Sequence, residues 1–479
     1  MSLLDHLRGY ARQRPQALAL QDAQGALTRG GLWSAVQRLA GQLLATGITR
    51  YSSQLDNGID AVVLDLALRT IGAVHLPLPG FFTPAQRLHA QRDAGIEAHI
   101  TLGGGAIALS ERWTLDRLEA APVLLPAATA LITYTSGSTG QPKGVCLSAE
   151  HLDRVAMSIV DALAGQTPQR HLCLLPLSIL LEQVAGVYAA LLADAPVLLP
   201  PLAATGLRGA AQLDAVQLAA CIDQQRPESV ILVPQMLQAW LAAAAAGARV
   251  PDSLRLIAVG GARVAPSLLD AAARHGLPVC EGYGLSELGS VVCLNRPGRT
   301  RPGSVGPALP HARVSVAADG ELLIDAPQFL GYVGAARPPA GPYASGDLGS
   351  IDDDGYVRIA GRKRNVFITA FGRNVSPEWV ESELTQHPLI AQAVVQGEAR
   401  ERNCAVLVLR RAVEPAVLRS ALDSVNAGLP DYAQVHHYVL ASEAFTPAND
   451  LLTSNGRVRR ERVLARYADQ IDTQYQAIA

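Results

Sequence analysis

A chain of 479 residues is too long for one ordinary core and calls for two or three domains. With 49% hydrophobic and 17% charged residues it is excluded from the disordered class, and 40 Lys+Arg against 42 Asp+Glu leave no electrostatic footprint for nucleic acid. The six cysteines, at 146, 173, 221, 280, 293 and 404, lie far apart without a CxxC pair. That spacing offers neither a zinc site nor a disulfide framework and fits a reducing, cytoplasmic setting.

In chain order, Leu3, Leu4, Leu7 and Ala11 give an amphipathic helix, interrupted by charge too early for a secretory segment. Leu32, Val36, Leu39 and Leu43 repeat at helical spacing, and Gly47 stops the run. "ALITYT" (130–135) reads as a buried strand entering a loop of glycines and hydroxyls, after which Ser148 N-caps a helix to about residue 163. The greasiest stretch, 172–202, contains Glu182, Asp194 and several prolines and does not span a membrane. "SVILVP" (229–234), "LRLIAVGG" (254–261) and "LPVCEGYG" (277–284) are strand-then-turn units separated by helical segments such as 235–247. Such alternation predicts an α/β fold of helix-covered, mainly parallel sheets, with ligands gathered at the carboxyl ends of the strands.

Beyond residue 300 the texture changes to hairpins, at Asp319-Gly320 and along "GSIDDDGYVRI" (349–359). The aspartates at 352–354 form a solvated turn rather than a metal site, because Gly355 punctuates them at once. From about residue 363 follows a smaller α+β unit. The arginines at 457, 459, 460 and 462 are by themselves a solvated basic face.

"TYTSGSTGQPKGV" (133–145) is the stretch with the most chemical content. Bare amides after a strand turn inward as an anion nest, hydroxyls add donors, and Lys143 adds a mobile charge, a combination suited to polyphosphate. An ordinary flexible turn has the same composition, but has no reason to end in Pro142-Lys143-Gly144 and re-enter an apolar strand. The P-loop spacing fails, since Pro142 stands five residues past Gly137 and no Ser or Thr follows Lys143.

"YTSGSTGQPKGV" resembles the phosphate loop of the adenylate-forming superfamily, which holds acyl-CoA synthetases, peptide-synthetase adenylation domains and luciferases. "EGYGLSE" (281–287), "YASGDLGSIDDDGYVRIAGRKRN" (343–365) and "FGRNVSPEWVESEL" (371–384) resemble the family's later motifs in the same order. The style is nearest that of long-chain acyl-CoA synthetases. The resemblance implies an adenylation core over 1–362, with a β-barrel-like subdomain about 300–362, and a mobile C-terminal domain over 363–479. It implies ATP and Mg²⁺. Thr135, Ser136, Gly137, Ser138, Thr139, Gly140 and Lys143 would hold the β- and γ-phosphates, Ser286 the α-phosphate and Glu287 the metal. Glu281, Gly282 and Tyr283 would lie along the adenine, Asp347 and Arg362 at the ribose, and Gly261 and Ala262 at the floor. Ser178, Ile179, Gly260 and Gly284 would border the acyl pocket, Arg364 would be the hinge, and Gly372 would adjoin the thiol channel. Taken alone, Tyr283 reads as a core tyrosine and Glu287 as a helix-start carboxylate.

The implied reaction is attack of a carboxylate on the α-phosphorus, then attack of a phosphopantetheine thiol, from CoA or a carrier protein, on the acyl-adenylate. Positioning and charge neutralisation suffice for it. One departure stands out: "LTSNGRVRR" (451–459) sets Arg457 where the family usually has a lysine, and that exchange is not conservative. Arg457 is expected to serve adenylation, against the alternative of a binding module with little activity. "LPLSILLEQVAG" (175–186) has no aspartate to pair with a substrate ammonium, which favours an uncharged, apolar acyl group. An amino-acid or aryl-acid adenylating enzyme remains the alternative, and a phosphotransferase is disfavoured by the missing P-loop and kinase motifs.

Overall fold

The opening helix, Leu3–Gln13, begins where Ser2 accepts the Asp5 amide and Asp5 reaches back to the Ser2 amide, and it buries Leu3 and Leu7. The second helix, Arg29–Leu44, buries the predicted stripe Leu32, Val36, Leu39 and Leu43. These elements belong to a computed structural model that describes residues 1–479 except 104, 110–111, 137–141, 209–211, 336–337, 454–455 and 477–479.

Among the described residues two eight-stranded sheets dominate the first three-quarters of the chain. In the first, Leu18–Asp22, Val197–Leu199, His171–Leu172, Ser229–Leu232, Leu256–Val259 and Val279–Tyr283 run parallel, in that spatial order. The four residues of Ser229–Leu232 are all buried, as expected of a strand covered on both faces. In the second, Thr129–Ser136, Val74–Pro77, Arg50–Ser53 and Ala98–Leu102 form the parallel centre. The expected strand "ALITYT" lies inside Thr129–Ser136, and Ser148 caps Ala149–Ala162 through the His151 amide. The helix Pro234–Ala245 seals the first sheet with Trp240, which is fully buried, so truncation to alanine would cost about 3–5 kcal/mol.

A four-stranded antiparallel sheet follows, in the order Arg313–Val316, Glu321–Asp325, Tyr343–Ile351 and Val357–Arg362. Gly320, with φ +83°, makes the first hairpin turn. In the second, Asp352 accepts the Tyr356 amide and Arg301 pairs with both Asp352 and Asp354, so these aspartates serve a turn.

Further along, Ile390–Gln396, Asn403–Leu409 and Val435–Leu440 form a three-stranded sheet. The helices Pro377–Leu384 and Pro415–Asn426 cover it through Val380, Leu384, Leu418 and Leu422. This C-terminal unit touches the larger one directly: Gln238 donates to the Thr385 carbonyl at 2.9 Å and Ser267 to Glu383 at 3.2 Å. No helix among the described residues is long and apolar enough to cross a membrane.

Candidate active site

The strand Val279–Tyr283 delivers the first set of side chains. Gly284 follows it so closely against the chain ahead that an added Cβ would meet the Ser290 carbonyl at 1.5 Å. The backbone then makes one tight turn, Ser286–Leu288, ended by Gly289 at φ +74°. Ser286 and Glu287 are thus held half-buried on a short turn at the carboxyl end of a parallel strand. The Phe329 amide donates to the Glu287 carbonyl at 2.7 Å, and Tyr332 donates to Glu287 Oε1 at 2.9 Å. Burial raises the Tyr332 phenol pKa, and the Glu287 charge raises it further, so the hydroxyl stays a donor.

Tyr332 is where this turn meets the phosphate-loop hairpin. Gly331–Tyr332 pairs with Cys146 and Val145 of the strand Pro142–Ser148, and that strand pairs with Thr129–Ser136 in a register setting Thr135 against Lys143. The Lys143 ammonium stands over the Tyr332 ring, 5.3 Å from its centroid. Gly137, Ser138, Thr139 and Gly140 lie outside the described residues; the hairpin closes immediately before and after them, with Ser136 opposite Pro142.

A second constellation stands beside the first. Asp347 is 3% exposed; Arg362 pairs with its Oδ1 at 2.9 Å and Tyr283 donates to its Oδ2 at 2.6 Å. Burial raises the Asp347 pKa, while Arg362 and the Tyr283 bond oppose that rise. The strand Val279–Tyr283 also carries Glu281, buried with one carboxylate oxygen lacking a partner among the described residues, and burial pushes its pKa up to about 7 against the pull of Arg263. Gly261 has φ +81° and, with Ala262, is exposed; Gly260 backs onto Gly282, whose carbonyl an added Cβ would approach to 3.3 Å.

From the C-terminal unit, Arg457 reaches into the same space, with Nη2 3.4 Å from the Gly261 carbonyl. The residue is exposed, and desolvation of its guanidinium lowers its pKa. The like charge of Arg362 lowers it too, while Glu287 and Asp347 favour the cation. Arg364 is exposed, between Lys363 on the antiparallel sheet and Asn365 on Glu378. Gly372 stands in an exposed turn with φ +71° and open space around it, outside the cluster of Lys143, Glu287, Asp347 and Arg457. Ser178 lines a cavity at the carboxyl edge of the second sheet, next to Ile179, which is half-buried.

Two contributors escaped the sequence reading. Tyr332 lies 45 residues from Glu287 on a two-residue strand with no periodic signal. His151 sits beneath the Ser286–Leu288 turn: a Cβ on Gly289 would meet its Nε2 at 2.9 Å, and burial pushes its pKa down to about 4. Nothing in the residues around His151 announces this.

The AMP-binding enzyme family matches residues 7–332, and the AMP-binding enzyme C-terminal domain matches 364–479. An indoleacetate–CoA ligase of Aromatoleum aromaticum is 28% identical over 97% of this chain and 98% of its own. A long-chain-fatty-acid–CoA ligase, FadD15, of Mycobacterium bovis is 27% identical over 86% of each. In fold, the chain resembles the anthranilate CoA ligase AuaEII in complex with anthranoyl-AMP, with TM-score 0.80, 20% identity and 97% coverage of both chains. It also resembles the o-succinylbenzoate CoA synthetase of Bacillus subtilis in complex with ATP and magnesium, with TM-score 0.74, 23% identity and 95% and 98% coverage. With both family regions matched across nearly its whole length, the chain belongs to the AMP-binding enzymes and is an acyl-adenylate-forming ligase.

Proposed function

We propose that this ligase joins a carboxylic acid with a largely apolar body to the phosphopantetheine thiol of CoA, or of a carrier protein, through an acyl-AMP. The carboxylate oxygen forms a bond to the α-phosphorus of ATP as the bond to pyrophosphate breaks. The thiol sulfur then bonds to the acyl carbon, its proton passes to solvent, and AMP leaves.

The observation that carries this reading is the closeness of four charged side chains from separate parts of the chain: Lys143 and Glu287 both contact Tyr332, and the Glu287 and Asp347 charges both act on Arg457. Asp347, held by Arg362 and Tyr283, offers acceptor oxygens suited to a ribose diol. Lys143 and the adjoining loop suit the phosphate tail, and Ser286 suits the reacting phosphate. Glu287, a carboxylate beside a phosphate-binding cation, has the hard-oxygen chemistry that Mg²⁺ requires. When bound, that ion supplies charge neutralisation on the phosphates. Arg457 would face the incoming carboxylate, and Arg364 would be the pivot on which the unit 363–479 turns for the thiol step, bringing Gly372 toward the site.

The acid is assigned from the apolar stretch 175–186, where the buried Glu182 is occupied by His171 at 2.7 Å and the Leu175 amide at 3.0 Å, and so is not free for a substrate ammonium. The relatives named as indoleacetate and long-chain-fatty-acid ligases support an aryl or fatty acid. A screen of carboxylic acids with ATP, Mg²⁺ and either CoA or a loaded carrier protein tests the reading. AMP and pyrophosphate as products support it; ADP, or no product with any acid, overturns it.

A further inference from the structure

A small cavity of about 30 Å³ is lined in part by Ser53, Asp65, His75, Ser178, Gln183 and Tyr188. It occupies the same edge of the second sheet as the phosphate loop. Pro77, on its wall, ends the parallel strand beside Thr129–Ser136, which runs into that loop, and Ser53, also on its wall, ends the strand after that. Its opposite wall is a π-helical stretch, Glu182–Tyr188, whose wide turn stacks Gln183 on Tyr188, five residues on. Gly186 permits that turn, since an added Cβ would meet Glu182 Oε1 at 2.2 Å.

The hydrogen bonds fix which way Gln183 faces. Asp65 accepts from His75 Nδ1 at 3.0 Å and from Tyr188, whose hydroxyl proton is thereby committed. His75 is in turn held by Ser53 at 2.9 Å. Gln183 therefore meets two acceptors, Asp65 Oδ1 and the Tyr188 oxygen, and its Nε2 donates to both at 2.9 Å. Its Oε1 is left buried with no donor among the described residues, on a side chain 5% exposed in the wall of the cavity. An unmet buried acceptor is costly, so the site is built for a donor to arrive.

We infer that this cavity is a specificity subsite that takes a neutral hydrogen-bond donor, a hydroxyl, borne by the acid substrate away from its carboxylate and bound to Gln183 Oε1. The inference rests on the acid-ligase reading above and names the substrate class of that same site. The volume suits a hydroxyl-sized group. A second carboxylate would bring lone pairs against Gln183 Oε1 and the Asp65 charge. An ammonium would find both Asp65 oxygens engaged and the Arg69 guanidinium nearby, 4.7 Å from the Tyr188 ring.

The test pairs acids that differ only in the hydroxyl, ω-hydroxydecanoate against decanoate and para-hydroxycinnamate against cinnamate, as substrates and as non-hydrolysable acyl-sulfamoyl adenosines in a calorimeter. At least one hydroxylated partner should be favoured tenfold or more in kcat/KM and in binding, and Gln183→Met should remove the preference while retaining activity on its deoxy partner. No preference in either pair, or one that survives Gln183→Met, overturns the subsite and leaves the ligase reading standing. Failure of every adenosine analogue to bind overturns the ligase reading itself. The wild-type pairs decide alone if Gln183→Met does not fold.

Discussion

Tyr332 donates its hydroxyl to Glu287 Oε1 at 2.9 Å, so the carboxylate assigned to the metal is aimed by a residue on another strand. The same ring lies under the Lys143 ammonium, which links the two charges across one aromatic side chain. Tyr332→Phe keeps the ring and removes the aim. A hydrogen bond to a charged group contributes about 1.5–3 kcal/mol, and pyrophosphate release at limiting Mg²⁺ should fall roughly tenfold. Saturating Mg²⁺ should restore much of the rate; an unchanged Mg²⁺ dependence would remove Tyr332 from the site.

Asp347 carries the second assignment. Asp347→Ala takes the acceptor from Tyr283 and the partner from Arg362. The KM for ATP should rise on the order of tenfold or more, because an arginine is left unpaired where the ribose would bind. A KM within twofold of wild type would argue against ribose recognition by this carboxylate.

Replacing Arg457 tests its proposed role in the first half-reaction. Arg457→Ala should cut acid-dependent pyrophosphate exchange by roughly a hundredfold, the scale of losing one preorganised charge. Thioester formation from supplied acyl-adenylate should remain nearly intact. Equal loss in both steps would show that Arg457 does not act in adenylation.

Glu281 ties stability to pH. Burial raises its folded-state pKa from an ordinary 4.5 to about 7, so the folded protein holds this proton more tightly than the unfolded chain does. Its contribution is therefore fully present below the unfolded value and is lost as pH rises through the folded one. Glu281→Gln should raise Tm over wild type at about pH 8, by an amount worth about 1–3 kcal/mol, and do less at about pH 5. A Tm gain that does not grow between those two pH values would refute the assignment.

Gly284→Ala probes the turn beneath Ser286. The added Cβ would collide with the Ser290 carbonyl, a backbone atom that cannot rotate aside. A loss of about 3 kcal/mol is expected by chemical denaturation, with activity falling further than stability as the turn shifts. A stable, active variant would show that the turn relaxes freely.

Much of this was legible in the sequence because it is local. The strand into the glycine loop, the Ser148 cap, the Asp319-Gly320 hairpin and the strand-then-turn units each announce themselves within a few residues. The ordered motifs singled out Lys143, Glu287, Asp347 and Arg457, and the Glu287 and Asp347 charges do act on Arg457 in the fold. What stayed hidden depends on register or on distance along the chain. Tyr332 meets Glu287 only because Gly331 pairs with Cys146, and Gln183 meets Asp65 across 118 residues. The π-helical turn at Glu182–Tyr188 has no periodicity of its own; it follows from a buried carboxylate and Gly186 in tertiary contact.

Lys363 pairs with Asp319 at 2.6 Å and with Glu321 at 2.7 Å, while the next residue but one, Asn365, bonds to Glu378 on the first helix of the C-terminal unit. If the unit 363–479 turns at Arg364 as proposed, that swivel would work like a door pin set between a bolted jamb and a rigid leaf. The rotation would then be confined to a residue or so of backbone, and the place of that pin, rather than slack in a tether, would dictate the arc open to Arg457.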